Sequence, residues 1–213
     1  EIISRGINVN VTLIFGLDRY QQVMDAYIRG LQKLAKTNPS KAQDVASVAS
    51  FFISRVDSEI DKRLDVVGTD DALSLRGKAA IAQAKVAYNM FETTFSGEAW
   101  RTLAKLGAQV QRPLWASTST KNPAYHDTMY VDELIGAHSV NTLPDATMEA
   151  FADHGSVAET IAIDVDGARS NLLALQNIGI DMTAVADQLE SEGVASFQQS
   201  FNDLLAVLES KRK

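Results

Sequence analysis

Hydrophobic and polar positions alternate strictly near the start of the chain. Successive residues of a β-strand point to opposite faces, so this pattern predicts a strand over about residues 8–15. One predicted face is apolar and carries Val9, Val11, Leu13 and Phe15. The opposite predicted face is polar and carries Asn8, Asn10 and Thr12.

The polar face of this strand is unusual because asparagine is a poor strand former. An enzyme barrel supplies a reason for it, since its strands turn apolar side chains towards the surrounding helices and hydrogen-bonding side chains towards the active centre. The same pattern also fits a buried strand whose Asn10 and Thr12 side chains are satisfied by neighbouring backbone groups. The rest of the chain has to decide between these two interpretations.

Three further short apolar runs end in polar residues, at about 48–54, 112–117 and 139–143. Apolar residues at helical spacing separate the predicted strands, most clearly over 18–36 and 77–95. Strands that alternate with helices predict a parallel sheet, with functional side chains at the carboxyl ends of the strands.

The predicted fold class is α/β, and four strands are half of the eight in a TIM barrel. We assign residues 1–155 to these strands and their helices, and residues 156–213 to carboxyl-terminal helices, the last over about 195–211. Residues 1–5 resemble the last turn of a helix, which suggests a segment of a longer protein. A half-barrel has open edges, so we expect it to need its missing half or a partner.

Composition narrows the choice of partners. The net charge of −7 argues against nucleic acid, and no apolar run is long enough to span a bilayer. The chain has no cysteine, which fits a cytoplasmic location. His126, His138 and His154 lack metal-ligand spacing, so we interpret them as ordinary surface or loop residues and predict neither a metal nor a cofactor.

Several segments together resemble transaldolase, in particular its longer bacterial subfamily. The most specific are the Asn-x-Asn-x-Thr-Leu strand over 8–13 and the Trp-Ala-Ser-Thr-x-Thr-Lys-Asn loop over 115–122. Weaker matches lie at 49–57, 77–82, 132–136 and 140–144. The resemblance extends over nearly the whole chain and implies a (β/α)8 barrel of which this chain carries approximately strands five to eight.

The resemblance also implies a reaction, the transfer of a dihydroxyacetone unit from a ketose phosphate to an aldose phosphate. In the family, a lysine on strand four forms a Schiff base with the ketose, and acidic residues lie on strands one and three. All of these would precede Glu1. The lysines of this chain fall on predicted helices or loops, so none is nominated as the Schiff-base residue, and this segment alone is expected to be inactive.

Six residues are assigned to the site that the resemblance implies. Asn10 corresponds to the asparagine that binds the donor's terminal hydroxyl, Thr12 to the threonine that holds the catalytic water, and Ser54 to a serine near the same hydroxyl. Asn8, by contrast, is interpreted as structural.

The phosphate end of the site is expected at Arg55, Ser117 and Lys121. Two alternatives stay open here. Arg55 could instead form an ion pair with Asp57 or Asp61, and Lys121 could simply be solvated. Trp115 and Phe52, on the strands just before these loops, are predicted to pack in the core.

The sequence therefore leaves two functional hypotheses. The first is a transaldolase acting on sugar phosphates as a monomer or homodimer, with this chain completed by the missing amino-terminal half of the same barrel. The second is a catalytically inactive barrel that binds sugar phosphates, a possibility that the absence of the nucleophile from this chain leaves open.

Overall fold

A computed structural model describes residues 1–212, and the last residue of the predicted tail, Lys213, lies outside the described residues. Two short 3₁₀ helices occur at Ile3–Arg5 and Pro39–Asp44. The strands are β1 (Val9–Ile14), β2 (Ser47–Phe52), β3 (Gln111–Ala116) and β4 (Val140–Asn141). The helices are α1 (Leu17–Thr37), α2 (Ser54–Val67), α3 (Asp70–Leu73), α4 (Ala79–Ser96), α5 (Glu98–Ala104), α6 (Met129–Asp132), α7 (Asp145–His154), α8 (Val165–Asn177) and α9 (Met182–Ser210).

The strands form one sheet in the order β1-β2-β3-β4, and every neighbouring pair is parallel. This confirms the predicted α/β class and the positions of the four strands. The fourth strand is shorter than the predicted 139–143. Its ladder gains one more bond, from the Thr142 N–H to the Trp115 carbonyl at 3.2 Å, before Pro144, which has no N–H to donate.

The strict alternation predicted for the first strand fails at Leu13. This residue has a φ of 59°, and the register with β2 slips between Val11 and Ile14, so Leu13 is the extra residue of a β-bulge. Ile14 pairs with Phe51 on the face of Val9 and Val11, where the sequence pattern placed Phe15. The prediction that Leu13 and Phe15 continue that face is therefore wrong.

The register gives the sheet two faces with different surroundings. The Trp115 face carries Ala49, Phe51 and Trp115, which are fully buried. Helix α1 packs there through Tyr20, whose ring meets Phe51 edge-on at 5.7 Å, while Phe51 meets Trp115 at 6.2 Å. The prediction that Trp115 belongs to the core is confirmed.

Helix α9 is much longer than the helix predicted over 195–211. It begins at Met182 because the Asp181 carboxylate accepts hydrogen bonds from the Thr183 and Ala184 N–H groups at 2.9 and 3.1 Å. Its first half packs on β1, where Gly193 lies so close to Leu13 that an added Cβ would lie 3.0 Å from the leucine Cδ2. Its second half is exposed from Val194 onwards.

No helix among residues 1–212 combines the length and the apolar character needed to cross a membrane.

Candidate functional site

The second face of the sheet, the Asn10 face, carries Asn10, Thr12 and Ser50. Asn10 and Thr12 are exposed, whereas Val9 and Val11, which alternate with them, are partly buried against the core. Ser50 is buried, and its hydroxyl donates to Asn10 Oδ1 at 2.7 Å. This bond holds the carbonyl oxygen of the Asn10 side chain towards Ser50. The NH₂ group of the same amide is a separate donor that can bind a ligand.

Asn8 has a structural role, as predicted. Its Oδ1 accepts a hydrogen bond from the Ala46 N–H at 2.9 Å, which fixes the start of β2 against the start of β1.

At the carboxyl end of the sheet, the structure brings Ser54 and Ser117 together. Their hydroxyl oxygens lie 2.9 Å apart, and the Ser54 N–H donates to the Ser117 carbonyl at 3.0 Å. Ser54 is buried and opens helix α2, while Ser117 has a φ of 59° directly after β3. A non-glycine residue in this region is uncommon, and such strain clusters at functional sites.

The loop that follows Ser117 is fixed by Thr118. Its buried hydroxyl donates to Asn141 Oδ1 at 2.7 Å, which links the loop to β4. Lys121 is exposed, and its ammonium group donates to the Ser119 hydroxyl at 2.6 Å.

Arg55 is exposed and forms no ion pair within residues 1–212, so the interpretation that it pairs with Asp57 or Asp61 is wrong. Its guanidinium lies 5.4 Å from the centre of the Phe52 ring, a cation–π arrangement. The cation therefore remains available to an anionic ligand.

Asp57 and Asp61, the two carboxylates considered as ion-pair partners of Arg55, have other hydrogen-bond partners on the buried side of α2. Asp57 accepts hydrogen bonds from the Ala80 N–H at 2.7 Å and from the Tyr130 hydroxyl at 2.8 Å. Asp61 accepts from the Gly77 N–H at 3.0 Å and from the Tyr125 hydroxyl at 2.5 Å.

Burial raises the pKa of Asp57 to about 6, although both of its hydrogen bonds act in the opposite direction. Because Asp57 follows Ser54 by one helical turn, the network holds the start of α2 against α4, α6 and the loop before α6. We infer that it supports the geometry of the site.

Strands β1 to β4 contain no lysine, so within residues 1–212 the lysines lie on helices or loops, as predicted. Lys85, on α4, is the most buried of the lysines among residues 1–212, and its ammonium group pairs with Glu133 at 2.9 Å. An ion-paired ammonium on a helix behind the sheet does not have the environment of a free amine nucleophile.

The structure thus brings the predicted residues into two groups, Asn10 with Thr12 on β1 and Ser54 with Ser117 at the carboxyl end. Lys121 and Arg55 lie on the adjoining loop and helix without a mutual hydrogen bond among residues 1–212. Sequence reasoning missed Ser50 and Thr118. Ser50 could have been found because it is a polar residue inside the apolar run of the second predicted strand.

Fold and site together describe an α/β protein whose polar side chains gather on one face and at the carboxyl ends of a parallel sheet. The family model "Transaldolase/Fructose-6-phosphate aldolase" matches residues 1–208. The chain therefore belongs to the transaldolase/fructose-6-phosphate aldolase family.

Curated relatives agree with this assignment. The chain is 53% identical to "Transaldolase 1" of Streptomyces avermitilis over 209 residues, which is 98% of this chain and 55% of that protein. It is 54% identical to "Transaldolase" of Parafrankia sp. over 207 residues, 97% of this chain and 56% of that protein. For "Transaldolase" of Thermobifida fusca the identity is 48%, over 95% of this chain and 55% of that protein. The chain spans slightly more than half the length of these relatives.

Proposed function

We propose that the complete protein is a transaldolase and that this chain is the carboxyl-terminal half of its (β/α)8 barrel. Two observations support the half-barrel. The sheet has four parallel strands in sequence order, and the relatives are almost twice as long as the matched region. The free edges of β1 and β4 would then pair with strands supplied by the rest of the barrel.

The proposed reaction transfers a dihydroxyacetone unit between sugar phosphates. The donor is sedoheptulose 7-phosphate or fructose 6-phosphate, and the acceptor is glyceraldehyde 3-phosphate or erythrose 4-phosphate. A lysine outside this chain would form a Schiff base with the donor carbonyl, losing water. The iminium then accepts the electron pair of the breaking carbon–carbon bond, which releases the aldose and leaves a bound enamine.

The observation that carries the proposal is the pair Asn10 and Thr12 on the exposed side of an otherwise apolar strand. With its oxygen held by Ser50, Asn10 would donate through its NH₂ group to the terminal hydroxyl of the donor. Thr12 would hold the water that relays protons in the cleavage step. Val9 and Val11 pack on the opposite side and fix the direction of both polar side chains.

The phosphate end would lie at the carboxyl ends of β2 and β3. Ser54 and Ser117 supply neighbouring hydroxyl groups, and the positive end of the α2 dipole lies beside them. Arg55 offers a planar guanidinium that matches a phosphate bidentately, while Lys121 would act as a point charge. No cofactor or metal is required by this chemistry, because the amine itself supplies the electron sink.

Borohydride trapping of the full-length protein tests the proposal. Incubation with fructose 6-phosphate and borohydride should reduce the iminium to a stable amine and add the mass of the reduced sugar unit to one lysine peptide. Samples without sugar or without borohydride are the controls. If no lysine is labelled while the sugar phosphate is present in excess, the Schiff-base mechanism is wrong.

A second candidate function is a sugar-phosphate-binding barrel without catalytic activity, with which the lack of lysine on β1 to β4 is equally compatible. In that case fructose 6-phosphate binds in calorimetry but is neither trapped nor cleaved. For the enzyme we propose a cytoplasmic location and either a monomeric or a homodimeric state. The mass of the full-length protein in solution distinguishes the two states.

A further inference from the structure

Two histidines that lie far apart in the sequence meet at the surface. His126 is on the loop before α6, and His154 ends α7. Their ring centres are 5.5 Å apart. Asp127 lies between them, with its Oδ1 2.8 Å from His154 Nε2 and 3.7 Å from His126 Nδ1.

We propose that His126, Asp127 and His154 form a binding site for a divalent transition cation of the Zn²⁺ type. One nitrogen of each imidazole and one Asp127 carboxylate oxygen lie within 4.8 Å of one another. Imidazole and carboxylate groups are established zinc ligands, with bonds of about 2.0–2.2 Å. The three side chains are independent of the residues assigned to the sugar-phosphate site.

The geometry requires only a modest rearrangement. Ligand atoms of a tetrahedral zinc site lie about 3.3 Å apart, given the bond lengths above. Atoms now up to 4.8 Å apart therefore have to approach by at most about 1.5 Å. Asp127 Oδ1 and His154 Nε2, now 2.8 Å apart, have to separate slightly. All three residues are exposed, so their side chains can rotate without disturbing the packed core.

Neighbouring groups already orient both rings. Asp153 Oδ2 lies 3.0 Å from His154 Nδ1, which leaves the Nε2 side of that ring facing Asp127. Thr128 Oγ1 lies 2.9 Å from His126 Nδ1, and the same hydroxyl donates to Asp132 at 2.5 Å. His154 therefore has the arrangement typical of histidine ligands of metals, in which the second ring nitrogen has a hydrogen-bond partner that fixes the ring orientation.

Bound zinc would connect two separate parts of the fold. It would tie the loop that carries Ser117 and Lys121 to the end of α7. Three protein ligands leave at least one coordination position for water or another ligand. The expected consequence is a higher unfolding temperature in the presence of the ion, because an ion that binds only the folded state stabilises it.

Calorimetric titration of the metal-depleted full-length protein with zinc chloride tests the site. We expect one equivalent of Zn²⁺ to bind, and we expect His126→Asn, Asp127→Asn and His154→Asn each to weaken that event more than about tenfold. Asp153→Asn, which removes only the partner of a ligand, should weaken it less than the ligand substitutions do. The matched control is His138→Asn, the third histidine of the chain, which should leave zinc binding unchanged.

Thermal unfolding with and without zinc provides the second readout. The ion should raise the unfolding temperature of the wild type and of His138→Asn, and should not raise that of His126→Asn. His126 is exposed, so this variant is expected to fold even if a His154 substitution does not. The site is overturned if the wild type binds no stoichiometric zinc, or if the His126 and His138 variants bind it equally well.

Discussion

The Asn10 face and the Trp115 face are built from alternating residues of the same strands, yet they meet different surroundings. On the Trp115 face, Phe51 and Trp115 are fully buried and in contact with aromatic neighbours. On the Asn10 face, Asn10 and Thr12 are exposed. The exposed polar side chains of β1 thus lie outside the packed Trp115 face, so substitutions of Trp115 and of Thr12 should separate stability from activity.

The largest expected effect lies on the buried face. Trp115→Ala removes a fully buried indole that meets Phe51, and should lower the free energy of unfolding by about 3–5 kcal/mol. Urea unfolding of the full-length protein measures it. Thr12→Ala is the matched substitution on the exposed face and should stay within about 0.5 kcal/mol of the wild type. A loss below about 1 kcal/mol for Trp115→Ala would show that packing on this face contributes little to the free energy of unfolding.

The second effect concerns activity instead of stability, is expected on the Asn10 face, and depends on the proposed function. Thr12→Ala should lower kcat by about 100-fold or more, because the water that relays protons loses its hydroxyl partner. Steady-state kinetics with fructose 6-phosphate and erythrose 4-phosphate measures it. Thr12→Ser keeps the hydroxyl and should keep most of the activity. Undiminished kcat in the alanine variant would remove Thr12 from the site.

Much of this arrangement is predictable from the sequence. The first strand is predictable from its alternation of apolar and polar residues, which also gives the direction of Asn10 and Thr12. The other three are predictable as short apolar runs between helical patterns. Ser54 and Ser117 were matched by family resemblance, since a serine at the end of a strand has no distinctive local pattern.

The remaining features depend on contacts between distant parts of the chain. Leu13 adopts a positive φ where Gly193 of α9 packs against it, and nothing in its neighbouring sequence signals a bulge. The alternative in which Arg55 forms an ion pair is wrong because Asp57 and Asp61 accept hydrogen bonds from backbone N–H groups before and at the start of α4. Histidine spacing likewise gave no sign of the cluster around Asp127, whose partner His154 is 27 residues away.

A third prediction extends the comparison to a charged group on the buried side. The pKa of Asp57 is about 6 when folded and about 3.8 as a free side chain, so the unfolded chain loses this proton at lower pH. The folded state then binds more protons between these values, and its stability falls as the pH rises from about 4 to 6. This difference in pKa corresponds to about 3 kcal/mol.

Asp57→Asn should remove this pH dependence while keeping the shape of the side chain. The free energy of unfolding of the wild type, relative to the variant, should fall by about 2–3 kcal/mol between pH 4 and 7.5. Urea unfolding at several pH values measures the difference. The exposed Asp71→Asn is the control and should show no comparable trend. Parallel curves for Asp57→Asn and the wild type would contradict the effect of burial on this carboxyl.

The smallest effect concerns the exposed cations and decides between Arg55 and Lys121 as the phosphate ligand. Arg55→Gln should raise KM for fructose 6-phosphate about tenfold, the low end for a charge-assisted hydrogen bond lost at an exposed site. Arg55→Lys should restore little, because lysine lacks the bidentate guanidinium. Lys121→Gln should raise KM less, since its ammonium group reaches the anion only as a point charge.

Unphosphorylated fructose provides the control, because the ratio of kcat/KM for the two sugars should fall only where a phosphate contact is lost. An unchanged ratio in Arg55→Gln, with a reduced ratio in Lys121→Gln, would reassign the phosphate to the loop after β3.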